Sequence, residues 1–141
     1  MKKGSIIGWL VRITILLLGT ASAVGIYHSV LSVKSSIRVQ KQYPTETLGL
    51  TISTASTIIL STYILFIVLA LITSQTVLYR TVAILTFVFG IIMMFPTAVI
   101  GMGYQPDTWP MYLGATVLLL SITGLMFWGA KYVPTKNNRL Q

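Results

Sequence analysis

The chain has 141 residues, room for one domain, with 55% hydrophobic residues, 9% charged residues and a net charge of +8. Two acids and ten bases cannot build the charged shell of a soluble domain, in which about 25% of residues are charged, so the expected medium is lipid. Lack of cysteine excludes a disulfide framework, a thiolate ligand and a cysteine nucleophile.

The charges are spaced as a membrane would space them. Uncharged gaps of 21 residues separate Arg12 from Lys34, 33 separate Glu46 from Arg80, 26 separate Arg80 from Asp107 and 23 separate Asp107 from Lys131. A hydrocarbon core needs about 20 apolar residues per helix, so each gap holds one span. The runs are continuous and lack the alternation of a barrel strand. The expectation is an all-α integral membrane protein, a bundle of four transmembrane helices in one domain.

Span one is expected at about 6–30. Its start resembles a secretory signal, with a basic beginning and Ala21-Ser22-Ala23 as a cleavage site, but the apolar run continues to Val33, so the segment is expected to be retained. Arg12 lies about one turn inside Trp9, shallow enough to snorkel to the headgroups. Gly19, Ala23 and Gly25 offer small side chains for a close helix approach, with Gly19 and Ala23 at the small-xxx-small spacing. Packing within the chain is the preferred use of that face, contact with another subunit the alternative. The lone His28 lacks companions for a metal or haem site.

A polar link, 31–47, follows. Lys34, Arg38 and Lys41 are spaced by four and three, so they align on one face if the helix continues as a basic stalk; a solvated loop is the equal alternative, and Pro44 ends either. These bases are candidates for contact with lipid headgroups or with a partner. Span two, about 48–72, opens with a hydroxyl stripe that includes Ser53, Thr57 and Ser61. Such a stripe either lines a polar path or serves as packing glue, and the second is preferred because hydroxyls bond their own i−4 carbonyls. Span three, about 79–104, contains Pro96, expected to kink it. Asp107 or Thr108 is the expected N-cap of span four, about 109–132, and the tail 133–141 is expected to be loosely held.

Six bases (Lys2, Lys3, Arg80, Lys131, Lys136, Arg139) flank one side and three the other, which favours both termini in the cytoplasm and a multi-pass place in the plasma membrane. No acid–base pair, nucleophile constellation, metal cluster or phosphate loop is present, so neither catalysis nor a bound cofactor is expected of this chain. Bases in small clusters without a nucleic-acid motif suit anionic lipid rather than nucleic acid. By elimination the expected role is an accessory or structural subunit beside other integral membrane subunits, for example in a respiratory or other membrane oxidoreductase assembly. A small homo-oligomeric channel or transporter is the second reading, a regulatory or immunity-type membrane protein the third.

Overall fold

A computed structural model describes residues 3–45, 47–104 and 109–134, and their side chains except at 93, 95–104 and 109. All regular structure among them is helical. Helix α1 runs Lys3–Gln42, α2 Leu48–Thr73, α3 Thr76–Tyr104 and α4 Trp109–Gly129, and a 3₁₀ turn covers Ala130–Tyr132. No proline occurs before Pro44, so nothing interrupts the backbone ladder of α1 until that residue, which supplies no N–H to continue it. The polar link is therefore mostly helix: α1 passes through Lys34, Arg38 and Lys41 before it stops. Helix α3 continues through Pro96; the kink expected there rests on a side chain outside those described. The cap expected at Asp107 or Thr108, Glu46 and the tail from 135 onward also lie outside the described residues.

Three helices, α1, α2 and α4 with its 3₁₀ turn, are long and apolar enough to cross a membrane, while the apolar stretch of α3 among the described side chains is the shorter Thr76–Ile92. Forty residues make α1 about 60 Å long at 1.5 Å per residue, twice the thickness of a hydrocarbon core.

The chain divides into two units, residues 15–68 and residues 1–14 with 69–141. In the first, α1 and α2 form an antiparallel hairpin. Its register is marked by Gly19 beside Ile67, Gly25 beside Leu60, Ser32 bonded to Ser53 and Ser36 beside Gly49. The less exposed positions of α1 recur every three or four residues (Ile15, Gly19, Ser22, Ile26, Ser29, Val33, Ser36, Gln40), the periodicity of one helical face. Ser22, Ser53, Tyr63 and Ile67 are buried.

In the second unit α3 packs along α4, tightly at Gly90, where an added Cβ would stand 2.5 Å from Leu119 Cδ2. The first turns of α1 lie against the end of α4. Gly8 meets the Tyr132 carbonyl so closely that a Cβ has no room, and a Cβ on Gly129 would stand 2.5 Å from Val11 Cγ2. Val11, Ala70, Tyr79, Val82, Ala83, Met126 and Ala130 are fully buried there.

The glycines of α1 should therefore respond differently to substitution. At Gly19 a methyl makes an ordinary 3.4 Å contact with Ile67, so Gly19→Ala should be neutral or stabilising by up to about 1 kcal/mol through helix propensity. Gly19→Leu should cost about 1–3 kcal/mol by overpacking. Gly8→Ala, which meets backbone that cannot rotate away, should be the more damaging alanine. Thermal melting in mild detergent reads all three.

Candidate functional site

The most elaborate polar arrangement among the described residues centres on Arg12. Helix α2 ends by placing Ser74 in the left-handed region, with φ at 53°, and its N–H bonds the Ala70 carbonyl at 2.9 Å. That is the αL helix cap, a position usually held by glycine. Serine suits it here because its hydroxyl is used: Arg12 Nη2 donates to Ser74 Oγ at 3.3 Å and makes a longer 3.5 Å bond to the Pro134 carbonyl. The Tyr79 hydroxyl is buried near the same guanidinium, within electrostatic reach but without a well-aligned hydrogen bond. Arg12 thus joins the first helix, the α2–α3 turn and the chain beyond the 3₁₀ turn. Its partners are protein acceptors, where the sequence suggested headgroups.

Two further cations lie over rings in this unit. The Arg80 guanidinium carbon is 5.4 Å from the Phe127 ring centre, and Lys131 Nζ is 4.9 Å from that of Tyr132. Such contacts anchor cations beside aromatic rings. No group of three His, Cys, Asp or Glu residues suited to a metal occurs among the described residues.

The hydroxyl stripe of α2 is mostly turned onto its own backbone. Thr57 donates to the Ser53 carbonyl at 2.9 Å, Ser61 to the Thr57 carbonyl at 2.7 Å and Thr54 to the Leu50 carbonyl at 2.8 Å. Ser53 differs: its Oγ is 2.9 Å from Ser32 Oγ across the hairpin. Of the small residues of α1, Gly19 and Gly25 face α2 side chains at distances of 3.4 Å from Ile67 and 3.2 Å from Leu60 for an added Cβ. Ala23 is exposed, and Ser22 is the buried neighbour. One residue on from Ser22, Ala23 is rotated about 100° away from that face. Lys34, Arg38 and Lys41 are exposed along α1, and the exposed His28 meets Tyr27 edge to face. The structure thus brings Gly19, Gly25 and Ser53 into the hairpin seam and leaves Ala23 and the three bases outside it.

Comparison with protein families, with curated proteins and with solved structures found no match.

Removing the Arg12 side chain leaves Ser74 and Pro134 without their donor. Arg12→Leu should destabilise the protein by about 1–3 kcal/mol, the usual range for a lost hydrogen bond to a charged group, and Arg12→Lys, which lacks the fork that reaches two acceptors, by less. Ser74→Val should also destabilise, because a β-branched residue resists the left-handed region. Thermal melting and limited proteolysis near residue 74 check the series.

Proposed function

We propose that this chain is a four-span protein of the plasma membrane, with both termini cytoplasmic, that serves as a non-catalytic accessory subunit of a larger membrane complex. The observation that supports this reading is the use to which its polar groups are put. Arg12 is the one cation among the described residues whose hydrogen bonds go to protein acceptors, and it ties chain segments together. The helices otherwise present a largely apolar exterior, with Leu17, Ile58, Leu118 and Trp128 all more than 60% exposed, a surface suited to lipid and to neighbouring apolar helices. Coupled transporters commonly keep an ionisable group in the membrane for the transported ion. Here the stripe hydroxyls of Thr57 and Ser61 are committed to backbone carbonyls.

Two measurements test the proposal. Reporter fusions after Gln40, Thr76 and Gln141 should place the first outside and the other two in the cytoplasm; opposite sides for Thr76 and Gln141 would overturn the four-span arrangement. Purification in mild detergent at native expression levels should recover foreign membrane subunits in fixed stoichiometry. A homo-oligomer that carries proton, Na⁺ or K⁺ flux in liposomes, lost in Thr57→Val or Ser61→Ala, would instead establish the channel reading.

A further inference from the structure

Both hydrogen bonds of Arg12 use the same nitrogen of its guanidinium. Nη2 donates to Ser74 Oγ at 3.3 Å and to the Pro134 carbonyl at 3.5 Å, both longer than the roughly 2.7–2.9 Å of a strong charge-assisted bond. Nε and Nη1 have no partner among the described residues. Neither is sealed inside, because the buried polar side-chain atoms without a partner there are Tyr79 Oη and Thr123 Oγ1 alone. Arg12 therefore keeps most of its N–H donors open along its outer edge.

Tyr79 stands beside it. Its side chain is fully buried, and its hydroxyl, within electrostatic reach of the guanidinium, has no aligned partner. A buried polar group left so costs free energy. Two donors side by side are what a single oxyanion satisfies best, because it accepts from both at once. More positive charge belongs to the same unit. Exposed Arg80 lies over Phe127, and exposed Lys131, one helical turn on from Phe127, lies over Tyr132. A ring contact leaves each cation its full charge. Glu46 and Asp107 stand in sequence just before the starts of α2 and α4. Arg12 is bonded beyond the ends of those helices, about 39 Å and about 32 Å further along them.

The level of this site is set by what Arg12 is bonded to, whatever the tilt of the helices. Ser74 is the residue after α2, and Pro134 follows the 3₁₀ turn that ends α4; both helices are long and apolar enough to cross a membrane. A guanidinium tied to the ends of two such helices lies where they leave the hydrocarbon, beside the headgroups. We infer that the open edge of Arg12 and the Tyr79 hydroxyl together hold one phosphate oxyanion, from an anionic lipid headgroup or from free phosphate. Arg80 and Lys131 add attraction for its charge. The site is independent of the accessory-subunit reading and requires only that the helices lie in a membrane.

The test titrates the full chain in mild detergent with phosphatidylglycerol or phosphatidylcholine, read by native mass spectrometry, and with inorganic phosphate, read by thermal melting. Phosphatidylglycerol should bind about tenfold tighter than phosphatidylcholine, the usual worth of a hydrogen bond to a charged group, and Arg12→Gln should erase that preference. Because Arg12 also ties chain segments, Tyr79→Phe is the deciding variant. It removes an oxygen that no protein group uses, so it should keep the melting profile and still weaken phosphatidylglycerol by about fivefold. Inorganic phosphate that raises the melting temperature of the native chain but not of Tyr79→Phe would uphold the site and assign it to a soluble anion. Equal retention of the two lipids without such a phosphate effect would overturn the site. So would a Tyr79→Phe chain that binds every probe as the native chain does.

Discussion

Helix packing in this chain has to be achieved with limited help from burial. Large apolar side chains along all four helices remain exposed, from Ile6 and Leu17 on α1 to Leu118 and Trp128 on α4, and in lipid an exposed leucine gains little by moving inside. What holds the helices together is then close approach and a few directed polar bonds. Gly8, Gly90 and Gly129 allow contacts that a Cβ would obstruct. The Ser32–Ser53 pair adds one hydrogen bond across the hairpin. The same constraint explains why many hydroxyls bond their own helix: Thr14, Thr20, Ser22 and Thr116 each donate to the carbonyl four residues earlier, so a polar side chain is satisfied without a neighbour.

Arg12 is the exception to this economy of polar contact. Its acceptors come from a turn and from the chain after the last helix, segments that backbone helix bonds do not fix. The left-handed Ser74 makes the α2–α3 turn tight, and the guanidinium holds that serine in place. The nearby cation–ring contacts of Arg80 and Lys131 reinforce the same end of the second unit through side chains that need no acid. Among the described residues, which include neither acid, the partners of these cations are rings, a hydroxyl and a carbonyl.

Much of the helical architecture is legible in the sequence because the apolar runs are long and their charged borders sharp. Helices α2 and α4 follow the expected spans closely, and the α1 extension takes the first of two equal readings of the Lys34, Arg38 and Lys41 spacing, a helix that runs on toward the proline at 44. The contact faces are less legible. Small-xxx-small spacing singles out Gly19 with Ala23, yet the seam turns through Gly19, Ser22 and Gly25, because helical rotation and not residue size decides which neighbour faces inward. Gly8 and Gly129 give no sign of their contacts: their partners lie more than a hundred residues away, and a single sequence carries no signal of that pairing. Ser74 is invisible for a related reason. A left-handed cap advertises itself as glycine, and here a serine held by a distant arginine takes the position.

The 121 residues that separate Arg12 from Pro134 give the guanidinium a place in the order of synthesis. Arg12 is made with α1, Ser74 follows α2, and Pro134, the second acceptor, is made only after α4. Until then the guanidinium can reach only one of its two acceptors. The contact that ties the two ends of this unit is therefore the last to become available as the chain is made.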